Sequence, residues 1–165
     1  MINLEPLTRM DDKQRLQYMN LLLKGQLDSE KDDLANLSNA SAIIMACVKD
    51  LNWAGFYLFK DNVLVLGPFQ GKPACNRIEI GKGVCGTAFE SRNIQLVNDV
   101  EAFPGHIACD GDSKSELVLP IIKGDKVYGV LDLDSPIHSR FTDLERDYFI
   151  KFVDILNQYM DWESF

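Results

Sequence analysis

The stretch "SELVLPIIKGDKVYGVLDLDS", residues 115–135, constrains the fold more than any other part of the chain. Two β-prone runs flank Gly124 and Asp125, a dipeptide suited to the positive φ of a two-residue turn. An antiparallel hairpin is expected. Side chains alternate along a strand, so Val130, Asp132 and Asp134 share one face and Leu131 and Leu133 the other. Two carboxyls inside one pocket cannot both ionise cheaply, and the one that keeps its proton becomes a hydrogen-bond donor near neutral pH. The competing reading is an acidic strand end facing water. The simplest hairpin pairs Lys123 with Lys126 and hence Glu116 with Leu133, opposite the aspartates. Pro120 marks an edge or a bulge that can reverse the facing of everything before it, so the hairpin alone leaves Glu116 open.

Shorter β-prone runs precede the hairpin. "NWAGFYLF" and "VLVLGPF" read as a strand pair around Lys60, Asp61 and Asn62, "NRIEI" as a third strand and "IQLV" as another. Apolar spacing predicts helices over residues 11–27 and 30–51, broken from Gly25 to Ser29, with Leu34, Leu37, Ile44, Val48 and Leu51 as the second helix's stripe. "VCGTAFES" has the size of one short helix, and residues 98–113 form an irregular loop. A capping box of Thr142 and Glu145 starts a last helix whose inward stripe is Leu144, Tyr148, Phe152, Ile155 and Tyr159. Strands in one block with helices mostly at the ends predict an α+β fold with an antiparallel sheet. A chain of 165 residues reads as one domain, 1–165, able to bury a core without disulfides or metal.

Seventeen Lys and Arg against 25 Asp and Glu leave a net charge of -8, which repels nucleic acid and anionic membranes. "MINLEPLTRMDDK" carries no basic start or long apolar run, so a soluble, cytoplasmic protein is expected. In that compartment Cys47, Cys75, Cys85 and Cys109 read as fillers, metal ligands or redox groups before structural bridges.

Cys47 sits in the apolar run "AIIMACV" and reads as a packed filler. Cys109 lies in the polar loop "GHIACDGD", where Asp110 and Asp112 would raise its pKa unless a cation or backbone donors offset them. Cys85 falls at a helix start, which favours a thiolate, and Cys75 in a glycine and proline loop. His106 reads either as a base for Cys109 or as hydrogen-bonded structure. Its pairing with Cys109 lacks the CxxC knuckles of a zinc site, so no metal is expected. Trp53 and Tyr57 share a strand face, either as a cage for a methyl-bearing or cationic group or as core packing. "GKG" lacks the pattern of a phosphate loop.

The stretches "NWAGFYL", "LGPFQGKPAC", "GKGVCGTA", "HIACD", "SELVLP" and "GVLDLDSP" resemble the free methionine-(R)-sulfoxide reductases, stand-alone members of the GAF-domain superfamily. The specific feature is the trio Cys75, Cys85 and Cys109, spaced ten and then twenty-four residues apart. The resemblance implies a six-stranded antiparallel sheet flanked by helices. It implies that Cys109 is the catalytic thiol and that Cys85, or Cys75 in some members, resolves its sulfenic acid through a disulfide. It also implies a pocket of Trp53, Tyr57, Glu116, Asp132 and Asp134, with Asp134 or Glu116 as proton donor, and so a bulge near Pro120 that turns Glu116 inward. Free methionine sulfoxide would be the substrate and a thioredoxin-type dithiol the external reductant, with no bound cofactor. The early helices could supply a homodimer interface. A non-catalytic GAF module sensing a ligand or oxidant is the alternative.

Overall fold

The computed structural model describes residues 2–165. Strands β1 (Trp53–Lys60), β2 (Val63–Gly71), β3 (Arg77–Ile78), β4 (Gln95–Val97), β5 (Ser115–Lys123) and β6 (Lys126–Ser135) form one antiparallel sheet in the order β3-β2-β1-β6-β5-β4. Helices α1 (Asp12–Ser29), α2 (Asp33–Cys47) and α4 (Asp143–Tyr159) cover one face, and α3 (Gly83–Ser91) covers the other. The α+β reading with a six-stranded antiparallel sheet is the architecture found. No described helix is long and apolar enough to cross a membrane.

The alternation along the strands divides the interior into two cores. Ala54, Phe56 and Leu58 of β1, Leu117, Leu119 and Ile121 of β5, and Leu131 and Leu133 of β6 pack with the three long helices. Trp53, Tyr57, Val118 and Val130 point the other way, toward Val84, Cys85 and Ala88 of α3. Full burial of a side chain such as Phe152 stabilises by roughly 1.5–3 kcal/mol, and more of the buried apolar side chains lie in the helix-covered core than on the α3 side. Cys47 is fully buried there, and burial lifts its thiol to about 11. It is the filler that its apolar run predicts.

Several boundaries differ from the sequence reading. Gly25 lies inside α1, and the break falls at Glu30–Asp32, where the Asp32 carboxyl accepts the Ala35 N–H as an N-cap. Leu34 is exposed and Leu51 lies beyond α2, because Val48 already has extended dihedrals. In α4 the buried line runs through Phe149, Phe152, Val153 and Leu156, one position away from the expected stripe. Leu144, Tyr148, Ile155 and Tyr159 only flank it, since α4 contacts both α1 and β5 and buries the arc between them. The Thr142–Glu145 capping box is present, and Arg140 donates to the same Glu145 carboxyl at 2.9 Å. The third strand shrinks to Arg77–Ile78.

Lys123 pairs with Lys126 across the β5–β6 turn, with Gly124 at φ 64°. Ile122 then pairs with Val127 but Ile121 with Gly129, leaving Tyr128 as the extra residue of a bulge. Beyond it Glu116 stands opposite Asp134 instead of Leu133. The bulge lies one residue past Pro120 and is what turns Glu116 to the face of the aspartates.

Candidate active site

Three adjacent strands supply the floor of the site. Trp53 pairs with Asp134 and Gly55 with Asp132 between β1 and β6, while Glu116 pairs with Asp134 and Val118 with Asp132 between β6 and β5. Period-2 facing therefore brings Trp53, Tyr57, Glu116, Asp132 and Asp134 to one face by backbone registration alone. Gly55 is required among them: any side chain there would run into Phe69 and the Trp53 ring. Trp53 stacks between Tyr57 and Phe69 at centroid distances of 5.9 and 5.2 Å. These aromatic rings are both packing and pocket wall.

Helix α3 closes the site from above. Its Cys85 sulfur lies 3.9 Å from Glu116 Oε1, and His106 Nε2 lies 3.7 Å from Glu116 Oε2. Cys85, Glu116 and Asp132 are buried and Asp134 is partly exposed. Burial first, then repulsion from Asp134, raises the Glu116 pKa well above the carboxylate range. Burial and then Glu116 do the same for Asp132, and burial and then Asp132 for Asp134. Three carboxyls in one desolvated space share protons, so an acid able to donate survives toward neutral pH. Cys85 is pushed up by burial and next by Asp132. That overturns the expectation of a helix-start thiolate: desolvation and neighbouring acids outweigh the free N–H groups. Burial lowers His106, which favours its neutral form.

Cys75 and Cys109 form a disulfide with Cα atoms 5.4 Å apart, within the usual span of a bridge. Cys85 is not in it. Both partners lie in segments without regular structure, and both segments are tethered to the floor. Tyr57 donates its hydroxyl to the Cys75 carbonyl at 2.9 Å, and the Trp53 indole N–H donates to the Lys72 carbonyl at 3.2 Å. Asn52 Nδ2 donates to Asp110 Oδ2 and Ser113 Oγ, each at 3.0 Å, and Lys72 pairs with Asp112. Asp110 is held below the usual carboxylate range, chiefly by the Asp112 backbone N–H. Trp53, Cys85, Cys109, Glu116, Asp132 and Asp134 surround a cavity of about 30 Å³, room for one water-sized occupant.

Every residue that the resemblance assigns to the site lies in or beside this cavity, with Cys75 behind the wall and joined to it through Cys109. The sequence reading missed Asn52 and Ser113, which hold the cysteine loop, and Ile107, which covers Gly83. Their types carry no signal: an asparagine before a strand and a serine before another are ordinary loop residues until the loop folds back.

Residues 32–159 match the GAF domain family. The free methionine-R-sulfoxide reductase of Escherichia coli is 52% identical over 124 residues, 75% of this chain and 73% of that protein. The Saccharomyces cerevisiae protein of the same name is 42% identical over 159 residues, covering 92% and 88% of the two chains. Among solved structures, fRMsr of Staphylococcus aureus in complex with substrate superposes with a TM-score of 0.84 at 46% identity, covering 88% of this chain and 95% of that one.

Proposed function

The chain belongs to the GAF-domain family, in the company of its free methionine-R-sulfoxide reductases, and from that premise we propose that it reduces free L-methionine-(R)-sulfoxide to L-methionine. The observation that carries the mechanism is the Cys75–Cys109 bridge beside a cavity floored by three carboxyls. In the reduced chain the Cys109 thiolate attacks the sulfoxide sulfur. A protonated carboxyl, Asp134 or Glu116, gives its proton to the sulfoxide oxygen, so the negative charge developing there is neutralised as it forms. The oxygen passes to the Cys109 sulfur, leaving a sulfenic acid and methionine. The carboxyls that stay ionised pair with the substrate's α-ammonium, a charge that also offsets their field on the thiolate.

Methionine departs before the pocket closes. Cys75 then displaces water from the sulfenic acid, and the product is the bridge between residues 75 and 109. A resolving role goes to Cys75 in preference to Cys85, because the Cys85 thiol is buried, held protonated and turned toward Glu116. A thioredoxin-type dithiol supplies the two electrons that restore both thiols. Preference for the free amino acid follows from carboxyls that pair with the substrate's own α-ammonium, a group that a residue inside a peptide lacks.

The test is an NADPH-coupled assay with thioredoxin and its reductase. Free R-sulfoxide should drive NADPH loss and the S epimer should not. A ligand that stabilises the fold yet is never converted would transfer the chain to the sensing class.

A further inference from the structure

Cys85 is the pocket thiol that the disulfide leaves free. One donor atom from each of Cys85, Glu116 and Asp132 lies within 4.8 Å of the other two, and all three residues are buried. A second observation points into the same space. Asp132 is only 6% exposed, and its Oδ1 has no hydrogen-bond partner among the described residues. A buried carboxyl oxygen without a donor costs on the order of 1–3 kcal/mol, and either a proton shared with Glu116 or a cation relieves it.

We infer that Cys85, Glu116 and Asp132 form a binding site for a single divalent ion of the zinc class. A thiolate beside two carboxyls selects a borderline-soft metal over magnesium or calcium, which take oxygen ligands only. Zinc bonds of about 2.0–2.3 Å place tetrahedral ligands roughly 3.3–3.8 Å apart. The Cys85–Glu116 separation of 3.9 Å is already close to that, and side-chain rotation closes the remainder. A water completes the set, because His106 Nε2, 3.7 Å from the second Glu116 oxygen, is not among the atoms that converge within 4.8 Å. The cavity of about 30 Å³ accepts an ion while the disulfide stands. Mutual repulsion among the acids, which works against their ionisation in the empty pocket, turns into ligation around a dication. The sequence gives no sign of this site, because the donors come from α3, β5 and β6, the first two separated by 31 positions, with no knuckle.

The ion would occupy carboxyls that the proposed reaction assigns to substrate, so metal and sulfoxide exclude each other; that part alone rests on the reductase reading. Cobalt(II) alone is the probe, added to the full chain with the Cys75–Cys109 bridge intact so that neither of those thiols can bind. One equivalent should bind and give a thiolate-to-cobalt charge-transfer band, which zinc then bleaches. Cys85→Ser should abolish the band and Asp132→Asn should weaken binding at least tenfold. No thiolate band in the parent chain, or a band undiminished in Cys85→Ser, overturns the site. If Cys85→Ser fails to fold, Asp132→Asn decides, and unchanged affinity there overturns it. With reduced chain, one equivalent of zinc should suppress single-turnover methionine formation, and full turnover with the metal site saturated would refute the exclusion. A chain that binds cobalt but makes no methionine under any condition would sink the reductase reading and leave the metal site standing.

Discussion

Tyr57 on β1 donates its hydroxyl to the backbone carbonyl of Cys75, 2.9 Å away, so the wall of the pocket also holds the segment bearing one half of the disulfide. The ring is buried and its hydroxyl has little freedom. Its ionisation is pushed up by burial and then by Asp132, so it acts as a donor throughout the working range. Tyr57→Phe removes that tether while keeping the ring. A lost hydrogen bond of about 1 kcal/mol corresponds to roughly a fivefold effect. Disulfide formation after the first turnover should slow by about that factor, with the first methionine released at the parent rate. Rapid-quench measurement of methionine and of free thiols separates the two steps, and equal slowing of both would assign Tyr57 to substrate instead.

The two thiols of the bridge and the one in the core should separate cleanly by stoichiometry. Cys109→Ser makes no methionine. Cys75→Ser makes about one methionine per chain and stops, with a sulfenic acid trappable at Cys109, because the attacking sulfur is present and its resolver is not. Cys47→Ser turns over normally if it folds, its thiol being packed against the helices of the other core. Mass mapping of the oxidised parent should return the pair 75 and 109; a bridge to residue 85 would reassign the resolver.

The bridge closes a loop across 34 residues, for which chain entropy gives roughly 3–4 kcal/mol of stabilisation. Reduction should therefore lower the denaturation midpoint and raise amide exchange across residues 98–113 more than in β5 and β6. It should also create substrate affinity. Calorimetry with free sulfoxide should detect binding to a reduced Cys109→Ser chain and none to the oxidised parent, in which Cys109 is tied to Cys75 and the cavity is only about 30 Å³. Equal affinity for both forms would show that the pocket does not open on reduction.

Stability should depend on pH in a direction set by the raised carboxyls. Unfolded carboxyls ionise near pH 4, whereas Glu116, Asp132 and Asp134 hold their protons well above that in the folded chain. Between those limits the folded state binds more protons than the unfolded state. Their contribution is thus complete below about pH 4 and is lost as pH rises through the folded values. Glu116→Gln should flatten that decline and raise the melting temperature at pH 8 by a few degrees, on the order of 1 kcal/mol, while cutting turnover at least a hundredfold. A steeper decline in the variant would contradict the assignment.

Local signals and tertiary outcome agree where one short segment decides its own geometry. The Gly124 turn, the Thr142–Glu145 cap and the alternation of Asp132 and Asp134 each depend on neighbours a few residues away, and all were legible. The stripe of α4 was legible only to within one position, because which arc of a helix is buried depends on where its neighbours lie. Cys85 differs for a related reason: a helix start is visible in sequence, but the burial and the acids of β5 and β6 that push its thiol up are not.

By itself the order of residues determined the elements, the sheet type and the inventory of thiols and acids, since propensity, turn chemistry and period act over short range. Only the folded chain decided the pairing of residue 75 with 109, the orphaned oxygen of Asp132 and the turning of Glu116 inward. The last of these hangs on one extra residue, Tyr128: with a side-chain period of two, a single insertion sends every residue beyond it to the opposite face.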